Sequence, residues 1–135
     1  MLVTSVVFGQ DWQKNFTEAL AMANDKNRPL VLVFAGSDWC GPCIKLDKKI
    51  WKSSEFKDYS EENYILYKAD FPRKKANKLS DTLAKQNDDL AEKYNPSGHF
   101  PLVVMLDQNG VVQGKTGYAN TAPSEYILLL NSFLK

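Results

Sequence analysis

Leu30-Val31-Leu32-Val33-Phe34-Ala35 is an unbroken apolar block rich in β-branched residues, the pattern of a strand covered on both faces. Tyr64-Ile65-Leu66-Tyr67-Lys68-Ala69 predicts a second strand, stopped by Phe71-Pro72, and Leu102 to Leu106, opened by Pro101, a third. Asp107-Gln108-Asn109-Gly110 is a hairpin signal, because Asn-Gly tolerates positive φ, and it joins Val111-Val112-Gln113 as an antiparallel partner. Other apolar positions recur at helical spacing. Asp11 can cap a helix through Trp12, Phe16, Ala19, Leu20 and Ala23, which the Asn24-to-Pro29 cluster ends. Ile44 to Trp51 reads as helix, and Ser54 to Tyr59 as a short one. Leu79, Leu83, Leu90, Ala91 and Tyr94 mark a long, largely exposed helix. The last helix starts at Thr121-Ala122-Pro123-Ser124-Glu125 and turns Ile127, Leu128, Leu130, Phe133 and Leu134 inward. This order predicts an α/β fold, a central mixed β-sheet flanked by helices on both faces.

Size and charge narrow the partners. The 135 residues make one domain, large enough to bury a core without a metal or several disulfides. A net charge of +1 offers no global attraction for nucleic acid. No segment approaches the roughly 18 apolar residues that a membrane span requires.

Residues 1–10 stand apart from the domain at 11–135. Leu2-Val3-Thr4-Ser5-Val6-Val7-Phe8-Gly9 is apolar and uncharged, with Val7 and Gly9 at the small-residue spacing of a signal-peptidase site. It reads as the remnant of a secretory signal, although no basic residue precedes it, or as an edge strand built on Val6, Val7 and Phe8. The first reading puts the protein outside the cytoplasm, periplasmic or secreted, where disulfides persist. The second leaves it cytoplasmic.

Candidate chemistry concentrates in Trp39-Cys40-Gly41-Pro42-Cys43, which holds both cysteines of the chain. The pair sits where a strand ends and a helix begins. Cys40 therefore lies near unpaired N–H groups and the positive end of the helix dipole, which stabilise an anion. A free thiol of pKa ~8.5 is about 3% thiolate at pH 7, and one lowered to ~7 is about half ionised. That shift corresponds to about 2 kcal/mol, within reach of a helix end plus hydrogen bonds. Cys40 is placed to attack and Cys43, one turn on, to resolve. Three blander readings stay open. A structural disulfide closing so short a loop contributes only about 2 kcal/mol. A zinc site needs about four ligands, so carboxylates or a second subunit would have to join two Cys and one His. Two inert buried thiols have no need of a Gly-Pro spacer.

A buried strand, Trp-Cys-Gly-Pro-Cys opening a helix, a second strand, then Phe100-Pro101 leading into a hairpin and a terminal helix: over residues 11–135 the chain resembles the thioredoxin superfamily. Gly36-Ser37-Asp38 before Trp39 is closer to the extracytoplasmic thioredoxin-like and disulfide-isomerase-like members of bacteria. The resemblance implies a thioredoxin fold with an enlarged segment, Phe71 to Tyr94, between the second strand and the cis-proline loop. It implies Cys40 as nucleophile, Cys43 as resolving thiol, and Trp39, Gly41 and Pro42 as the rest of the active-site motif. Phe100 and a cis Pro101 would bind an extended substrate segment. The implied activity is that of a thiol–disulfide oxidoreductase acting on protein disulfides, re-reduced by a dithiol partner, monomeric, with no metal or organic cofactor. Isomerase, oxidase and a non-catalytic peptide-binding module are the alternatives. Gly-Pro between the cysteines matches thioredoxin, at about −270 mV against about −120 mV for a strong periplasmic oxidant. The gap corresponds to roughly 7 kcal/mol and favours a reductase.

Thioredoxins carry a buried acid in the strand before the motif, whereas Leu32-Val33-Phe34 has none. Asp47, four residues after Cys43, is a modulator that a shared helix face would offer instead, but an acid among Lys45, Lys48 and Lys49 is more often simply solvated. His99, the sole histidine, would favour a Cys40 thiolate if Pro101 faces the cysteines. Beside Gly98, an exposed loop histidine is an equal reading. Arg73-Lys74-Lys75-Ala76-Asn77-Lys78 would guide acidic partners, yet reads first as a solvated lead-in to the helix, without the interleaved aromatics that stack bases.

Overall fold

All six residues of β1 (Leu30–Ala35) are buried, and the strand runs through the interior of a four-stranded sheet. The computed structural model describes residues 12–134, so both readings of residues 1–10, and Asp11 as a cap, lie outside the described residues. The strand order is β2-β1-β3-β4. β2 (Ile65–Asp70) is parallel to β1, β3 (Leu102–Leu106) antiparallel to β1, and β4 (Val112–Thr116) antiparallel to β3. Alternation along β1 divides its side chains between two cores. Val31, Val33 and Ala35 pack with Leu46, Ile50, Phe56 and Tyr126, while Leu30, Leu32 and Phe34 pack with Ala19, Ala23, Leu90 and Tyr94. The helices contributing those residues cover opposite faces, which is the mixed sheet the pattern predicted.

Caps decide where the helices begin. α1 (Phe16–Lys26) starts later than its periodicity suggested, because Asn15 Oδ1 accepts from Glu18 N–H at 2.8 Å. Trp12 stays outside the helix and makes a parallel bridge to Leu66. α3 (Ser54–Asn63) follows a Ser53 cap, and α4 (Asp81–Tyr94) a Ser80 cap that leaves Leu79 outside. α5 (Pro123–Ser132) buries Tyr126, Ile127 and Leu130. Leu128, expected to face inward, is 69% exposed, because it lies about 100° round the helix from Ile127.

α2 (Gly41–Leu46) continues through a π-helical turn, Asp47–Trp51, in which Lys52 N–H reaches Asp47 O at 2.9 Å. Periodicity alone gave no sign of this turn; consecutive Ile50 and Trp51 are both buried in it. At the hairpin, Asp107 Oδ1 accepts from Asn109 N–H at 2.8 Å and Val111 N–H at 3.0 Å. Gly110 takes φ 84° while Asn109 does not enter the left-handed region, so the glycine alone supplies the positive φ of this turn.

Candidate active site

β1 and β2 are parallel, and the cysteines lie beyond their carboxyl ends. The chain leaves Ala35 and turns over Gly36, whose carbonyl accepts from Cys40 N–H at 2.8 Å and Trp39 N–H at 3.2 Å. A Cβ at Gly36 would collide with the Trp39 indole, so this close approach requires glycine. Cys40 is the N-cap of α2, extended at φ −96° and ψ 106°, and Pro42 occupies the first turn. Cys40 and Cys43 form a disulfide, with Cα atoms 5.2 Å apart. Each cysteine is 5% exposed, so exposure does not distinguish them. Hydrogen bonding does: the Cys43 N–H donates to Cys40 Sγ at 3.3 Å. Once that sulfur is a thiolate, the same donor meets a full negative charge and the bond strengthens.

Trp39 is held on every side. Its Nε1 donates to Phe71 O at 2.7 Å, Phe100 meets it edge-on at 5.5 Å, and the Arg73 guanidinium lies 3.7 Å from its ring centroid. The turn beneath it is tied to β2, since Asp70 accepts both the Ser37 N–H at 2.9 Å and the Ser37 hydroxyl. The Asp38 carboxylate accepts from Arg73 N–H, Lys74 N–H and Asn77 Nδ2, each at 3.0 Å. Those bonds, the Asn77 amide foremost, lower its pKa to about 2.

The Phe100–Pro101 peptide is cis. Pro101, Cys43, Val33, Asp47 and Lys68 share a cavity of about 170 Å³. Asp47 is therefore not merely solvated among Lys45, Lys48 and Lys49. The helix turns it, about a quarter exposed, onto Lys68 at 3.6 Å and Lys52 at 3.0 Å. His99 is exposed and is not among the residues lining that cavity. Its turn is pinned by buried Asn95, which accepts His99 N–H at 3.0 Å and donates to His99 O at 2.8 Å. Among the described residues no group of three or more His, Cys, Asp or Glu is placed to hold a metal ion, and no helix is long and apolar enough to cross a membrane.

Sequence reasoning brought out Trp39, Cys40, Gly41, Pro42, Cys43, Phe100 and Pro101, and the fold gathers them at one end of the sheet. It missed Asp38, Asp70 and Lys68. An acid on each side of the motif and strand ends was visible, but nothing local said which amides it would meet.

A family model described as thioredoxin-like matches residues 11–108. The chain is 32% identical over 124 residues to the disulfide bond reductase DsbH of Chlamydia pneumoniae, spanning 92% of this chain and 72% of that protein. A solved DsbH oxidoreductase structure superimposes with a TM-score of 0.84 at 29% identity, covering 99% of this chain and 92% of the other. A thioredoxin from Thermus thermophilus shares the fold, with a TM-score of 0.64 at 16% identity over 87% of this chain and 82% of its own.

Proposed function

The chain belongs to the thioredoxin-like family and is a thiol–disulfide oxidoreductase, and on that premise we propose that it reduces disulfides in protein substrates, with Cys40 attacking and Cys43 resolving. The observation that carries the assignment of roles is the Cys43 N–H aimed at Cys40 Sγ, which favours a thiolate on Cys40. That thiolate attacks one substrate sulfur, the substrate S–S bond breaks, and the other substrate sulfur leaves as a thiolate. Cys43, deprotonated, then attacks Cys40 Sγ and releases the first sulfur. Two electrons have passed to the substrate and the Cys40–Cys43 disulfide remains, to be re-reduced by a dithiol partner.

Asp47 is the proposed acceptor of the Cys43 proton, since both line one cavity with room for several waters at about 30 Å³ each. Lys68 lies 3.6 Å from that carboxylate and lines the same cavity. Phe100 and Pro101, with Trp39, form the proposed seat of an extended substrate segment. His99, exposed on its turn, is left outside the proton path. A single chain is the proposed working unit, since its own Cys40–Cys43 disulfide completes the redox couple. Protein disulfides form and persist outside the cytoplasm, and that compartment is the proposed one.

Insulin reduction with dithiothreitol as donor tests the reading. Turnover should vanish in Cys40→Ser, whereas a peptide-binding module would keep its affinity for unfolded protein in that variant and show no turnover in the parent. A Cys40–Cys43 potential near about −270 mV supports a reductase, and one near about −120 mV would overturn that direction in favour of an oxidase.

A further inference from the structure

Between β2 and α4 the chain carries Arg73, Lys74, Lys75 and Lys78 and no acid from Phe71 to Ser80, in a protein whose net charge is only +1. Every residue from Arg73 to Lys78 is exposed. Such a run ordinarily repels itself and stays loosely solvated. Here its backbone is fastened to the two residues that precede Cys40. Asp38 holds the Arg73 and Lys74 amides and the Asn77 side chain, and Trp39 Nε1 holds Phe71 O. A short 3₁₀ turn, Lys75–Asn77, completes the ridge.

Apart from the Asn77 amide, these bonds engage main-chain atoms and use none of the cationic heads. Arg73 covers the Trp39 ring, and among the described residues no acid lies within ion-pair distance of Arg73, Lys74, Lys75 or Lys78. A groove of about 340 Å³ runs between the ridge and α4. Asp81 and Asp88 line its far side, and Asp70 is turned onto Ser37. Four cations on one lip, fixed against the wall of the active site, form a local field that the net charge conceals.

We infer that this ridge sets substrate specificity: it selects protein disulfides flanked by acidic residues, whose carboxylates lie along Arg73, Lys74, Lys75 and Lys78 while the disulfide meets Cys40 across Trp39. The inference rests on the proposed reductase reading and adds its substrate class. The backbone that carries these charges needs no ordering on encounter, and the long-range part of their effect falls on capture and is screened by salt.

Two synthetic peptides with the same intramolecular disulfide, one flanked by Glu and one by Gln, test it with the full chain and dithiothreitol as donor. At low ionic strength kcat/KM for the Glu peptide should exceed that for the Gln peptide by at least about fivefold, and the ratio should approach one by about 0.5 M salt, where screening acts within roughly 4 Å. Lys74→Glu/Lys75→Glu/Lys78→Glu should reverse the preference, because Asp38 grips amides that these substitutions leave in place. Lys14→Glu/Lys26→Glu/Lys93→Glu, an equal change of net charge elsewhere, should preserve it. Equal rates for the two peptides at low salt, or reversal by the second triple variant as complete as by the first, would overturn the ridge and leave the reductase standing. Reduction of neither peptide would defeat the reductase reading and the ridge with it.

Discussion

The Tyr67 hydroxyl donates to Asn87 Oδ1 at 2.6 Å, in a contact where both residues are 2% exposed or less. Asn87 Nδ2 in turn donates to Asp70 O at 3.1 Å, so one buried amide ties α4 to the end of β2 from which the ridge departs. Replacing Asn87 by Ala leaves the Tyr67 hydroxyl and the Asp70 carbonyl without their partner. Expected is a loss of about 1–3 kcal/mol in urea unfolding. A change under half of that would mean that water substitutes for the amide.

The buried tyrosines set an alkaline limit. Burial pushes Tyr67 up to about 12 from 10.0, against the opposing Asn87 bond, and also raises Tyr64 and Tyr126. The folded chain thus holds protons that the unfolded chain loses first. Their contribution is full below pH 10 and declines as pH rises through 12. The urea midpoint should stay level between pH 8 and pH 10, then fall. Tyr67→Phe should soften the decline, and an identical slope would remove Tyr67 as a cause.

Asp38 titrates in the opposite sense. With a folded pKa of about 2 against an ordinary 3.8, its contribution is full above 3.8 and is lost as pH falls through 2. Hydrogen-exchange protection factors at the Arg73 and Lys74 amides should therefore be level from pH 5 to 7. Asp38→Ala should lower them at least about tenfold while the β1 amides keep theirs, as expected for local opening. Protection that survives the substitution would show that the Trp39 contacts, to Phe71 O and under Arg73, hold the ridge without Asp38.

The two thiols should differ in reactivity. In the reduced chain at pH 7, iodoacetamide should modify Cys40 at least about tenfold faster than Cys43, because only Cys40 Sγ receives a backbone N–H as helix cap. Asp47→Asn should leave that rate alone but slow release of a mixed disulfide on Cys40 by about a hundredfold, the low end for a proton acceptor, and move its pH profile upward. Equal alkylation rates would undo the assignment of roles, and an unmoved profile would retire Asp47.

Contiguous signals were legible beforehand. Six apolar residues in a row made β1 a covered strand, Asn109-Gly110 made a hairpin, and Cys40 with Cys43 at a strand-to-helix junction made a redox pair. Each depends on a few neighbouring residues and their intrinsic preferences. Trp12 and Leu128 misled for the complementary reason. Both fit a helical period, but a cap three residues on from Trp12 and the facing core at α5 decided their fates.

What the chain order alone determined is the succession of elements and the chemistry available at Cys40. What only folding decided is which distant groups meet there: Asp38 with Arg73, 35 residues on, Tyr67 with Asn87, and Asp47 with Lys68 beside Cys43. A hydrogen bond requires its atoms within about 3 Å and aligned, an ion pair within about 4 Å, and only the packing of helices on a twisted sheet sets such distances.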